Sequence, residues 1–277
     1  MLKEDLIYDV GFHNGDDTTY YLHQGFNVLA IEANPLLAAQ GACRFEREIA
    51  ARRLTILNVG IAKSEGTFSF WVNDENDVWS SFSRDLGCRH GSRCHEVKVR
   101  GVPLSSILCE YGVPYFLKVD IEGNDAHCIR SLDRNELPKY ISCELTHDGD
   151  VLAELHKAGY RRFKILNQTT YTDSIPVFRH DIAGRILRRV FHMFPAIRSL
   201  VHRVPHKLRP RKIEFDDFRR RFPYRFNDGS SGPFGEETFG PWHSFEDIAE
   251  RIRRIRYAYL KANISQECAW YDVHATR

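Results

Sequence analysis

Apolar runs of strand length alternate with stretches of helical character through the first two thirds of the chain. LIYDVG (6–11) reads as a strand, and the polar stretch from Asp16 to Gln24 as a helix stopped by Gly25. NVLAIEANP (27–35) is a second strand closed by a proline able to start a helix, and 36–53 is helical in character. LTILNVGIA (54–62) gives a third strand, while GTFSFWV (66–72) and HEVKVRGVPL (95–104) alternate as half-buried strands do. PYFLKVDIEG (114–123), KYISCEL (139–145) and RRFKILN (161–167) follow, with VLAELHKAG as a helix between the last two. This rhythm predicts an α/β fold: a doubly wound, mainly parallel sheet with helices on both faces.

The pattern changes after residue 178. Between Arg179 and Arg225 there are fourteen Lys/Arg against four Asp/Glu, so the remainder of a chain of net charge +2 is acidic. The segment 182–204 has apolar residues at helical spacing with arginines between them, and Pro195 should kink it. Such a basic amphipathic stretch suits a lid or dimer arm, an anionic membrane surface, or, least of the three, nucleic acid. A turn-rich loop (227–242), a helix from Phe245 to about Lys261 and an apolar strand at 268–275 come next. The expected division is a core of 1–178, a basic insert with a Gly/Pro-rich loop at 179–244, and a helix and strand at 245–277 completing the core. The loop 229–240 is expected to act as a flexible wall over the site.

At 277 residues, 43% hydrophobic and 27% charged, the composition is that of a globular protein, without an 18-residue apolar run to span a membrane. The N-terminus lacks the features of a secretory signal. Seven scattered cysteines, with Cys88 and Cys94 the closest pair and no second pair nearby, suggest reduced thiols and no metal site. The expectation is a cytoplasmic protein, with any membrane contact peripheral to the inner face through 182–204.

Ligands of open α/β sheets bind beyond the strand C-termini, and the first turn is the usual cofactor contact. Here that turn is GFHNGD, with Gly11 and Gly15 spaced G-x-x-x-G. His13 stands where the dinucleotide fingerprint needs its second glycine, and Asp16 and Asp17 replace the Lys-Ser/Thr of a phosphate loop. Carboxylates beside a phosphate repel it. A cofactor with adenosine and no phosphate remains, and S-adenosylmethionine, cationic at sulfur, fits. Glu32, at the end of the second strand, can accept both ribose hydroxyls, and Asp9 is expected near the amino-acid end. Plain helix capping or solvation is the alternative for both acids.

DVGFHNGD (9–16), IEANP (31–35), LNVGIA (57–62) and LKVDIEG (117–123) resemble the FkbM family of S-adenosylmethionine-dependent methyltransferases over roughly residues 6–167. Phe12-His13 departs from the smaller residues common in that family's turn, whereas Gly11, Asn14 and Gly15 match. The resemblance implies a class I, Rossmann-like methyltransferase fold, usually acting on a hydroxyl of a sugar or secondary metabolite. It places Asp9, Gly11, His13, Asn14, Gly15, Glu32, Asn58 and Asp120 around the cofactor.

A hydroxyl acceptor must be aligned with the methyl group and must lose a proton. VDIEG supplies Asp120 and Glu122 on the same side of an extended strand, Asp120 as base or as the group that orients the acceptor. Helix capping is the bland reading for both. His147 in CELTHDG is a second candidate base, and Glu144, Ser80 and Ser81 are candidates for acceptor contacts. The Asn/Asp-Pro-Pro-Tyr/Phe motif frequent in amine methylation is absent, which favours oxygen. The function expected is therefore O-methylation of a sugar, glycan or related metabolite. An RNA methyltransferase and a non-catalytic S-adenosylmethionine-binding module are its rivals, and a homodimer is compatible with any of these.

Overall fold

The computed structural model describes residues 2–145, 151–175, 177–179, 211–213, 218–262 and 270–277. In chain order the first half comprises β1 (Leu2–Val10), α1 (Asp16–His23), β2 (Asn27–Ile31), α2 (Pro35–Arg44), α3 (Glu46–Ala50), β3 (Leu54–Leu57), β4 (Gly60–Ile61) and β5 (Gly66–Asn73). Then come α4 (Arg84–Gly87), β6 (Cys94–Val102), α5 (Leu104–Tyr111), β7 (Val113–Val119), α6 (Asp125–Arg130), β8 (Tyr140–Glu144), α7 (Val151–Ala158) and β9 (Arg162–Asn167). The remainder holds β10 (Val177–Arg179), β11 (Arg211–Ile213), α8 (Phe218–Arg221), α9 (Phe245–Ala262) and β12 (Tyr271–Thr276). Seven strands form the main sheet in the order β3-β2-β1-β7-β8-β12-β9. All pair in parallel except β12, which enters antiparallel between β8 and β9. This is the α/β, Rossmann-like arrangement expected. The strand order reverses between β1 and β7, which opens a crevice at their C-terminal ends.

Two expected elements are divided, each for a local reason. The helix expected over 36–53 breaks at Phe45, which leaves helical geometry (φ −109°, ψ 28°) as its ring meets Phe12 edge-on at 5.9 Å. The strand expected over 54–62 splits because Asn58 turns its amide back onto the Glu32 and Ala33 carbonyls (2.9 and 3.2 Å). Gly60 and Ile61 then leave the main sheet to pair with Gly101 and Val102 of β6, which with β5 forms a small second sheet.

One face of the main sheet is covered by an apolar layer that includes Ile248, Ile252, Ile255 and Tyr259, the buried stripe of α9. The other face carries a row of buried polar side chains in register across five strands: Asp9, Lys118, Ser142, His274 and Lys164. The C-terminal tail lies over this face. Phe234 stacks flat on Phe116 at 4.4 Å, and Lys164 donates to the carbonyl and hydroxyl of Thr238 (3.1 and 2.8 Å). Tyr20 donates to Glu237 at 2.5 Å, and Tyr171 to the Ser230 carbonyl at 3.0 Å. The expectation of a flexible wall at 229–240 is thereby corrected: residues 230–235 are buried in the core. Their glycines and serines permit close packing against aromatic rings, which composition alone reads as a loop.

Cys88 and Cys94 form a disulfide, their Cα atoms 5.5 Å apart, which corrects the expectation of reduced thiols throughout. The turn through α4 brings Cys88 back to the start of β6, where Cys94 sits opposite Asn73, an approach that six positions of sequence separation do not reveal. Disulfides are rare in reducing compartments, so the cytoplasmic expectation loses its support from the thiols. Among the described residues, Cys43, Cys109, Cys128 and Cys143 are free. No helix there is long and apolar enough to cross a membrane. The basic segment 182–204 lies outside the described residues.

Because Phe234 fills the space over Phe116 and Tyr21, Phe234→Ala should lower unfolding stability by about 3–5 kcal/mol in urea titration. A loss within 0.5 kcal/mol, about that of a surface substitution, would mean that the tail is not part of the core.

Candidate functional site

A cavity of about 460 Å³ opens at the crevice between β1 and β7. Its floor is the turn after β1. The amides of Gly11 and Phe12 both donate to the Ile31 carbonyl (3.0 and 3.1 Å), which draws the turn against the end of β2. Gly11 has φ +90°, and a Cβ there would stand 1.9 Å from the Asp120 carbonyl oxygen, so only glycine lets the first and central strands converge. Phe12 turns its ring onto Phe45 and towards Gly41, where a Cβ would stand 2.4 Å from it. The bulky residue in the turn is accommodated by a missing side chain on α2.

His13 adopts a left-handed backbone (φ 50°) that presents its amide to Glu32 Oε2 at 2.8 Å. The other Glu32 oxygen accepts the Asn34 amide at 2.8 Å. Burial pushes the Glu32 carboxyl up, and these two backbone donors work against that rise. Each carboxylate oxygen keeps acceptor capacity for a further donor. The His13 imidazole reaches Asp77 at 3.0 Å and so ties the turn to the connection after β5.

Lys118, near the C-terminal end of β7, brings a buried cation to the site. Its Nζ donates to the Gly11 carbonyl at 2.9 Å and pairs with Asp9 at 3.1 Å and Asp17 at 3.4 Å. Burial opposes its charge, and the carboxylates of Asp9, Asp17 and Asp120 prevail, holding the ammonium above the usual lysine range. Asp17 in turn accepts the Ser230 hydroxyl and the Ser231 amide. Lys118 was missed by sequence reasoning; a lysine inside an otherwise apolar strand was the available signal.

At the opposite wall, Glu122 also takes a left-handed backbone (φ 47°). Arg89 donates to its carboxylate at 2.5 Å and lies over the Trp79 ring at 5.1 Å. Ser81 donates to the Glu122 carbonyl at 2.8 Å. Burial raises the Glu122 carboxyl and Arg89 opposes the rise. Asp125, below it on α6, is pushed up to about 7 by burial first and by Asp120 second.

The expected residues Gly11, His13, Asn14, Glu32 and Asp120 line the cavity. So do Ser80, Glu122 and Glu144. Asp9, Gly15, Asn58 and Ser81 do not. Asp9 is fully buried beneath the floor, held by Thr18 at 2.7 Å and by Lys118, rather than facing the cofactor end of the cleft. Gly15 closes the turn through its bond to the Phe12 carbonyl, while Asn58 and Ser81 brace the backbone of Glu32 and Glu122. His147 lies outside the described residues. Arg89, Trp79, Asp228 and Trp270 line the site without having been anticipated, and Gly229 and Ser230 line it from the loop expected to form its wall. No group of residues suited to a metal ion occurs among the described residues.

Residues 9–162, more than half of the chain, match the methyltransferase FkbM domain. The chain belongs to the FkbM methyltransferase family. Among solved structures it is similar to methyltransferase FkbM from Methylobacillus flagellatus (TM-score 0.38, 15% identity, covering 57% of this chain and 37% of that one). It is also similar to a SAM-dependent O-methyltransferase from Thermotoga maritima (TM-score 0.35, 12% identity, covering 99% of this chain and 60% of that one). It therefore spans just over a third of the length of the first structure and three fifths of the second. No curated protein matches the chain. The FkbM match ends at residue 162, and the tail residues of the cavity wall lie beyond it.

Two outcomes test this arrangement. Lys118→Met should cost about 3–5 kcal/mol, because it strands Asp9 and Asp17 as buried charges, and adding Asp9→Asn should recover part of the loss in urea unfolding. Asp125 binds its proton more tightly folded than unfolded. Its stabilisation is fully present below about pH 4 and is lost as pH rises through about 7. Asp125→Asn escapes that loss, so its melting temperature should gain on the wild type between pH 4 and 8. Parallel melting curves would contradict the assignment.

Proposed function

We propose that this FkbM family member is an S-adenosylmethionine-dependent O-methyltransferase acting on a hydroxyl of a sugar, glycan or related metabolite. The observation that carries the reading is the acid-lined cavity at the strand switch point, with Glu32 fixed at the end of β2 by the turn after β1. The cavity's lysine and arginine, Lys118 and Arg89, are already paired with carboxylates, so a pyrophosphate would find repulsion there rather than a counter-charge. A cationic cofactor fits that donor set. When bound, it supplies an activated methyl group on a sulfonium.

Glu32 would take the ribose hydroxyls on its remaining lone pairs, and Ile31, Leu37, Val59 and Ile61 give the apolar lining a purine needs. The backbone of the Gly11–Asn14 turn and Asp120 would hold the amino-acid end. Trp79 and Trp270 offer faces for a sugar ring, and Arg89, Glu122 and Ser80 offer polar contacts for its hydroxyls. Asp120 then orients the acceptor towards the methyl group, the alignment that methyl transfer chiefly requires.

Calorimetric titration with S-adenosylhomocysteine and NAD tests the cofactor. Binding of the first and none of the second is expected. Glu32→Gln should weaken S-adenosylhomocysteine by about tenfold, the worth of roughly one hydrogen bond to a charged group. Thermal shift should agree: at a hundred times the dissociation constant the ligand adds about 2.7 kcal/mol. Binding of NAD in place of S-adenosylhomocysteine would overturn the reading.

A further inference from the structure

Glu144 and Asp272 are Cα partners on the adjacent strands β8 and β12. The Leu145 amide donates to the Tyr271 carbonyl at 2.8 Å, which makes 145 and 271 a hydrogen-bonded pair. Glu144 and Asp272 therefore occupy the neighbouring non-hydrogen-bonded position, where opposed side chains come closest. Two carboxylates there repel unless something intervenes. Glu144 lines the cavity, and Asp272 behind it is 6% exposed. Neither carboxylate has a hydrogen bond or ion pair to another described residue. Among the described residues, the other carboxylates facing them add to the repulsion: Asp120 and Glu122 after β7, Asp125 on α6 and Asp17 on α1. Lys118 on β7 is the counter-charge, and it is committed to Asp9 and Asp17.

We propose that Glu144 and Asp272 form a carboxyl dyad that shares one proton, and that Glu144 is the base that takes the proton of the acceptor hydroxyl. The inference rests on the O-methylation reading above. Burial and then the neighbouring acids raise both carboxyls, and one proton held between the opposed side chains relieves their repulsion. Glu144 is the catalytic residue, since it faces the cavity. Asp272 is a positioning residue that acts through it. In the step, the acceptor O–H bond breaks and its electron pair stays on oxygen, which bonds to the methyl carbon while the C–S electron pair remains on sulfur. The proton joins the ionised oxygen of Glu144 and leaves later to solvent through the cavity mouth. A raised carboxyl is better matched to this task than an ordinary one, because catalytic power is greatest when the base titrates near the working pH.

The dyad is tested on the full chain by carboxyl-carbon NMR titration, with no acceptor needed. The wild type should show two separated midpoints from this pair, and Asp272→Asn should leave Glu144 with a single midpoint between them. An unchanged Glu144 midpoint in Asp272→Asn would show that burial alone sets it, and the dyad would be withdrawn. Methyl transfer from S-adenosylmethionine to a mixture of common monosaccharides tests the base. Glu144→Gln should lower kcat by about 10²–10⁴-fold with S-adenosylhomocysteine affinity unchanged. Undiminished kcat in that variant would refute the assignment of the base. If the wild type binds S-adenosylhomocysteine yet methylates none of the sugars, the hydroxyl-methylation reading fails, and the titration still decides the dyad.

Discussion

Lys118 carries a full positive charge into the middle of the sheet, and the geometry of the site depends on how that charge is matched. One donor goes to the Gly11 carbonyl, and ion pairs run to Asp9 and Asp17. A buried ion pair is weak evidence of stability by itself, because desolvation offsets much of the attraction. Its value here is geometrical. The ammonium sits where β1, β7 and α1 meet, and a charge that expensive to strand permits few alternative arrangements. Asp17, once fixed, becomes the acceptor for Ser230 and Ser231, so the same charge fastens the tail to the turn after β1.

That chain of contacts explains why the site is larger than the family domain. The FkbM match closes at residue 162, yet β12 is inserted into the main sheet and residues 228–230 reach the cavity. The tail has no long regular element to offer between α8 and α9. It compensates by filling space with Phe226, Phe234 and Trp242 and by satisfying Lys164 through Thr238. One wall of the cavity therefore belongs to a segment that lies beyond the family match and is held to α1 through Asp17.

The strands were legible because each is a short apolar run bounded by polar or glycine-rich turns, and the row of acids at their ends was legible because strand ends define the crevice. Lys118 was not, since periodicity registers a lysine in β7 as an interruption rather than as the partner of an acid more than a hundred residues away. The burial of Ser230–Gly235 was hidden for the opposite reason: small residues look like a loop until the rings of Tyr140 and Tyr171 are seen packed against them. The Cys88–Cys94 bridge depends on the path of α4, which no local pattern encodes. Asp9 and Asn58 were expected at the cofactor, but Asp9 is buried with Thr18 and Lys118, and the exposed Asn58 spends its amide on the Glu32 and Ala33 carbonyls.

His13 and Glu122 face the same cavity from opposite sides, and both hold left-handed backbones without being glycine. Such conformations cost about 1–3 kcal/mol each and persist where the surroundings over-determine them. The His13 amide is held by the Glu32 carboxylate, and the Glu122 carbonyl by Ser81. Glycine at either position would relieve the backbone but remove the imidazole that meets Asp77 or the carboxylate that meets Arg89. The strain is thus tied to side chains that close the cavity wall. The Glu32 carboxylate holds the turn with one set of lone pairs, and under the proposed function the others would take a ligand. A ligand donor that strengthens Glu32's ionised form also strengthens its grip on the His13 amide. On the proposed function, filling the site and stiffening its floor would be one electrostatic event.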